Sequence, residues 1–225
     1  MKKPTQLELA VKPTGWGGRR PGAGRPKTGR AVGLPHRARP YHEGRHPAHV
    51  TWRVVRGLPS LRKRRLARVV GRTIRAASRR HEKRRSSFGV IHFSVQDNHI
   101  HLIVEAGSKR TLTGELRSLG IWLARGLNQE LGRTGRVIAD RYHARTLATP
   151  RELRSALVYV LQNHKHHTPS EYVVDENSSA RWFTGWEAPL PEPDTPSPVR
   201  RAQTWLGRVG WRRAGGAIRF CEGPA

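Results

Sequence analysis

His99 and His101 flank a single isoleucine in the stretch DNHIHLIVEA, residues 97–106. Residues two apart on a strand leave the same face, so both imidazoles emerge side by side. Imidazole is the commonest metal ligand among side chains. Two at this spacing can chelate one ion if a third ligand joins them. Alone, the pair is equally compatible with two histidines satisfied by neighbours in a half-buried sheet. Further along, YVLQN sets Tyr159 and Asn163 four residues apart. In a helix that spacing is about 40° around the axis and about one turn along it. Both flank the apolar stripe of Leu153, Leu157, Val160 and Leu161, the stripe that must face the sheet. A helix packed at the sheet edge would aim a phenol and an amide oxygen at whatever the histidines hold. Gln162 lies about 100° from Asn163 and is the poorer third ligand, but the packing angle leaves it open.

Such a set could carry out nucleophilic chemistry assisted by a metal ion, of the kind that acts on a phosphoester. A phenol with a pKa near 10 is a weak nucleophile while protonated. A divalent ion opposite it polarises a phosphate and stabilises the charge that develops. Two imidazoles and one amide oxygen are neutral ligands that leave positions open, which suits Mg2+ or Mn2+ better than a closed zinc site.

Several elements must position these groups. HVTWRVV alternates Val50, Trp52 and Val54 with polar neighbours and reads as a strand. Between Leu61 and about Arg84, Leu66, Val69, Val70, Ile74 and Ala77 share one helical face opposite a mostly Arg face. SFGVIHFSV and HIHLIVEA read as two strands joined by a tight QDN turn. A second helix runs from about Thr113 to Leu131, and RVIADRYHARTL is a fourth strand. Thr149, Pro150 and Glu152 form a capping box with proline at the first helical position, so a third helix starts there and runs to about His164. Strand, helix, strand, strand, helix, strand is the ferredoxin-like plan of an α+β fold. It implies an antiparallel sheet with two helices on one face, leaving the other for ligand or for the third helix.

The chain has 225 residues with 43 Lys and Arg against 16 Asp and Glu, a formal charge of +27. That excess implies a polyanionic partner, most simply nucleic acid. No apolar run spans a bilayer, no secretory leader is evident, and a single cysteine excludes an internal disulfide framework. A cytoplasmic, DNA-associated location in a bacterium follows as an expectation. Residues 1–45 are rich in Gly, Pro, Arg and Lys and read as a disordered basic arm. Within it, Arg19, Arg20, Arg25 and Lys27 are candidate DNA contacts, as are Arg64 and Arg68 on the first helix. Residues 46–167 form the expected catalytic domain. Residues 168–225 form an extension with a Pro-rich linker, around which lie Trp182, Phe183, Trp186, Trp205 and Trp211, expected to fasten it onto the main domain rather than to stack on bases.

These motifs together resemble the HUH single-tyrosine transposases, and among them the REP-associated tyrosine transposases. The matching residues are His99-Ile100-His101 with Asn98 just before it, HVTWRV on the first strand, and Tyr159 with Asn163 one turn later. The chain departs from many relatives in having NHKHH where a proline commonly follows the Asn. The resemblance implies that Tyr159 is the nucleophile and that His99, His101 and Asn163 hold Mg2+ or Mn2+. It also implies cleavage and rejoining of single-stranded DNA at hairpin-forming repeats through a 5′-phosphotyrosine intermediate. Two other readings are a non-catalytic nucleic-acid-binding regulator on the same sheet, and an HUH nickase of plasmid replication or transfer. The nickase reading lacks the phosphate loop that often accompanies it. Secondary candidates are Tyr142 as nucleophile and His143 near the metal should the fourth strand adjoin the third. Asp140 and Glu105 could bind metal or orient an imidazole, and the His164, His166 and His167 cluster could meet phosphate or solvent.

Overall fold

The computed structural model describes residues 41–166 and 174–223, all within the unit formed by 36–225. Arg19, Arg20, Arg25, Lys27 and His167 lie outside the described residues.

Strands β1 (Ala48–Arg53), β2 (Gly89–Val95), β3 (His99–Glu105) and β4 (His143–Thr146) form one antiparallel sheet in the order β2-β3-β1-β4. With α1 (Arg64–Lys83) between β1 and β2 and α2 (Lys109–Glu130) between β3 and β4, the ferredoxin-like plan is realised. Alternation along each strand builds two cores. Ala48, Val50 and Trp52 of β1 and Ile100, Leu102 and Val104 of β3 face α1 and α2. They meet Leu66, Val69, Val70 and Ile74 from α1 and the row Leu112, Leu116, Leu119, Leu123 and Leu127 from α2. The intervening strand positions, among them His49, Thr51, His99, His101 and Ile103, emerge on the opposite face.

That second face is covered by α3 (Pro150–Gln162). Its start is fixed as the sequence implies. Thr149 Oγ1 accepts from the Glu152 amide at 3.2 Å, and the Glu152 carboxylate accepts from the Thr149 and Ala148 amides at 3.1 and 2.9 Å. A bulge between Val90 and His92 inserts Ile91 as an extra residue and turns it into the second core, beside Ile103.

Several boundaries differ from the sequence reading. Helix α2 begins at Lys109 rather than Thr113, because Ser108 Oγ accepts from the Thr111 amide and caps it four residues earlier. Strand β4 is only His143–Thr146, with Ile138 touching Val54 as an isolated bridge. The α-helical part of α3 stops at Gln162, and Asn163–His166 continue as a 3₁₀ turn.

The C-terminal segment completes the second core. Ala156 and Val158 are buried on α3 along with its expected stripe, so the helix is apolar nearly all round and needs a cover on both sides. Phe183, Trp186, Trp211 and Ile218 supply it, with Leu206 from the short helix α4 (Trp205–Arg208). Phe183 stands edge-on to Trp186 at 5.2 Å, and Phe220 stacks on Trp186 at 4.6 Å. Upstream, the segment pairs with the exposed edge of β2: Val95 donates to the Asn177 carbonyl at 2.8 Å and Ser179 to that of Phe93 at 2.9 Å. Two bidentate pairs tie it down. Arg62 holds the buried Asp175 carboxylate at 2.9 and 3.0 Å, and Arg154 of α3 holds Glu222 at 2.6 and 2.8 Å.

Candidate active site

The register of β3, β1 and β4 arranges the second face in rows. His99 lies opposite Arg53. His101 lies opposite Thr51, which lies opposite His143. Ile103 lies opposite His49, which lies opposite Arg145. Strand β1 therefore separates β4 from β3, and His143 is two strands from His101 rather than beside it. His143 faces solvent.

Tyr159 comes down from α3 onto this floor. Its ring stands at 89° to that of His101 with centroids 5.0 Å apart, and at 62° to that of His49 at 5.8 Å. His99 stands edge-on to His101 at 4.8 Å. The nucleophile candidate and both histidines are thus in one cluster. His49 joins them, with its ring 5.3 Å from that of His101.

The hydrogen bonds show which imidazole nitrogens are engaged and which tautomers they allow. The Nδ1 of His99 is bonded to the Asn98 side-chain oxygen, an acceptor, so Nδ1 carries the hydrogen and the lone pair lies on Nε2. The Nδ1 of His101 lies 3.2 Å from both His49 Nε2 and Thr51 Oγ1, each of which can accept. His101 Nε2 is buried and has no hydrogen-bond partner among the described residues. With Nδ1–H donating, that orphaned atom is a lone pair, the form in which an imidazole binds metal. All the shifted histidines here are held neutral. Burial first, then the neighbouring His49 and His99, pushes His101 down to about 3. Burial first, then His143 and Arg145, pushes His49 down to about 4.

Asn163 is buried at the end of α3, and its amide makes no hydrogen bond with either histidine among the described residues. Gln162 is also buried, but its amide nitrogen donates to the Arg219 carbonyl at 3.0 Å, which ties it to the C-terminal segment. No group of three His, Cys, Asp or Glu side chains suited to a metal ion occurs among the described residues.

The remaining candidates are placed elsewhere. Tyr142 is buried in the first core, edge-on to Trp52 at 6.5 Å, with its hydroxyl donating to Thr113 at 3.4 Å. Glu105 is on the histidine face but at the far end of β3. There its carboxylate accepts from the Gln203 and Thr204 amides at 2.7 and 3.1 Å and from the Thr204 hydroxyl at 2.7 Å. It fastens the C-terminal segment and orients no imidazole. His164 is buried rather than turned to solvent. Arg64 and Arg68 are exposed on α1, across the sheet from Tyr159.

His49 and Thr51 are the residues that motif reading passed over. Their signal was present in HVTWR, where they occupy the polar positions between Val50 and Trp52. Pairing β1 with β3, which the ferredoxin-like order requires, puts them beside His101.

No family model matches the chain, and no curated protein matches it. Among solved structures it is similar to a REP-associated tyrosine transposase bound to a REP hairpin, with a TM-score of 0.47 and 16% identity over 76% of this chain and 100% of the other. Likeness at that level says nothing about individual residues, whose roles rest on the geometry above.

Proposed function

We propose that the chain cleaves and rejoins single-stranded DNA by transesterification, with Tyr159 as nucleophile. The observation that carries this reading is the Tyr159 ring standing over His101, beside His99, with a buried unpartnered imidazole nitrogen between sheet and helix. His99 and His101, with Asn163 as third ligand, would hold Mg2+ or Mn2+. The bound ion would supply Lewis-acid stabilisation of the phosphate.

The Tyr159 phenol oxygen bonds to phosphorus and the P–O3′ bond breaks. The phenolic proton is passed on as the leaving oxygen becomes a 3′-hydroxyl, and the 5′ side stays on the protein as a phosphotyrosine. One phosphodiester is exchanged for another, so a second 3′-hydroxyl can reverse the step without a nucleotide cofactor. Arg53, exposed opposite His99, and Arg145 bring positive charge to the same face and favour entry of the phosphate. Arg145 is partly neutralised by Glu152 at 3.0 Å, so Arg53 carries more of this role. Hairpin-forming repeats are the expected substrate, as in the family that the motifs resemble.

The test is incubation of the full chain with labelled single-stranded DNA containing imperfect hairpins and Mn2+ or Mg2+, followed by denaturing electrophoresis. An SDS-resistant adduct that depends on His99 and His101 supports the proposal. Binding without any adduct from the wild-type chain contradicts it and favours a nucleic-acid-binding regulator.

A further inference from the structure

Gln96 follows β2 directly and keeps its alternation. His92, Ser94 and Gln96 take the histidine face, while Phe93 and Val95 enter the first core. Ser94 lies directly opposite His101. The Gln96 backbone amide donates to the His99 carbonyl at 2.9 Å, which sets Gln96 across from His99. The turn between them is pinned to the connection between β1 and α1. Val54 donates to the Asn98 carbonyl and Leu61 to that of Asp97, both at 2.9 Å, and the Asp97 carboxylate accepts from the Ser60 hydroxyl.

Gln96 is 2% exposed, so its carboxamide is buried on the same floor as the two imidazoles. Its Nε2 donates to Ser94 Oγ at 2.6 Å, which holds the amide group beside the row of Ser94 and His101. Its Oε1 is buried and has no hydrogen-bond partner among the described residues, as is true of His101 Nε2. His101 turns Nδ1 toward Thr51 and His49 of β1, so Nε2 lies on the other side of the ring, away from β1. In the order β2-β3-β1, Gln96 is on that side. With the His101 Nδ1–H donating, both orphaned atoms bring lone pairs, so neither satisfies the other. Burying two acceptors on neighbouring strands without a donor is costly, and a single shared cation answers both.

We infer that Gln96 Oε1 is a further ligand of the divalent ion, on the β2 side of His101. The inference rests on the proposal that His99 and His101 hold Mg2+ or Mn2+. It adds the sheet as a second source of amide oxygen, beside Asn163 at the end of α3. Carboxamide oxygens suit both ions. Two imidazoles and two amide oxygens leave about two positions of an octahedral ion for phosphate oxygens. Ser94 is then a positioning residue, because by accepting from Nε2 it fixes which atom of the carboxamide faces the ion.

The test measures Mn2+ binding to the full chain by paramagnetic resonance, and the waters on bound Mn2+ by water-proton relaxation. Gln96→Met keeps the size and the unbranched stem but removes the amide. It should weaken Mn2+ binding on the order of tenfold, and the bound Mn2+ should carry an additional water. Gln96→Glu should bind Mn2+ more tightly than wild type. Its melting temperature should also rise more on adding Mn2+, because the buried carboxylate lacks a counter-charge until the ion arrives. Circular dichroism checks that each variant folds, and Gln96→Glu carries the test if Gln96→Met does not. Unchanged Mn2+ affinity and water number in Gln96→Met would overturn the inference and leave the two buried atoms to a bridging water. Weaker Mn2+ binding in Gln96→Glu would also overturn it. Loss of Mn2+ in His99→Ala beside full binding in Gln96→Met would refute the role of Gln96 alone, whereas a wild-type chain that binds no Mn2+ would overturn the metal reading with it.

Discussion

His49 Nε2 lies 3.2 Å from the Nδ1 of His101, and Thr51 Oγ1 lies at the same distance from it. These two residues of β1 can accept the Nδ1–H of His101 and thereby leave its buried Nε2 as a lone pair. Removing such an outer partner commonly costs 10- to 100-fold in metal affinity. His49→Ala combined with Thr51→Val should weaken Mn2+ binding by roughly that amount, read by paramagnetic resonance titration. His49→Gln should recover part of it, because a carboxamide oxygen can accept the same hydrogen. Unchanged Mn2+ affinity in the double variant would remove this role.

The neutral histidines make the fold sensitive to acid. Burial pushes His92 down to about 3, as it does His101, and His49 goes to about 4. All three lie below the ordinary value of about 6.5. The unfolded chain therefore takes up protons below that value while the folded chain does not. Their contribution is fully present above pH about 6.5 and is lost as pH falls from there toward 4. In that window each histidine lowers stability by up to about 1.4 kcal/mol per pH unit. The urea midpoint of the metal-free chain should fall steeply between neutral pH and pH about 5. A flat midpoint over that range would contradict the burial of these rings.

The C-terminal segment should be part of the folding unit rather than an appendage. Trp211 is 2% exposed beneath α3, so Trp211→Ala should cost about 3 to 5 kcal/mol. In Gly185→Ala, the new methyl would meet the rings of Phe183 and Trp211, both fixed by packing, so it too should destabilise. Both effects are measured by chemical unfolding. Retention of wild-type stability by Trp211→Ala would show that the second core does not need its cover.

Legibility in the sequence followed how local each signal was. The start of α3 was readable because Thr149, Pro150 and Glu152 act on one another within a single turn. The two faces of β3 were readable from the alternation of His99, His101 and Ile103 with Ile100, Leu102 and Val104. His49 and Thr51 were missed because their role depends on a partner strand about 50 residues away, and no local pattern marks it. The cover over α3 was half readable. Ala156 and Val158 already made the helix apolar beyond one stripe, but which tryptophan would land on it depended on a long, Pro-rich path. Strand β4 was overcalled because RVIADRYHARTL has strand-like residues, whereas only His143–Thr146 pairs with β1.

The two carboxamides at the end of α3 should separate by phenotype. Gln162 donates to the Arg219 carbonyl, so Gln162→Ala should lower thermal stability by a few degrees with little effect on Mn2+ affinity. Asn163→Ala should do the opposite, weakening Mn2+ binding with the melting temperature largely kept. If Gln162→Ala is the variant that loses the metal, the third ligand is Gln162 and the amide at 163 is structural.

The central claim is that Tyr159 forms the covalent bond to DNA. Its most direct test is proteolysis of the protein–DNA adduct formed with Mn2+, nuclease trimming, and mass spectrometry of the modified peptide. The prediction is a nucleotide 5′-phosphate on the peptide containing Tyr159, absent from Tyr159→Phe while that variant still binds the hairpin DNA. Modification of any other residue, or an adduct that survives in Tyr159→Phe, would contradict it.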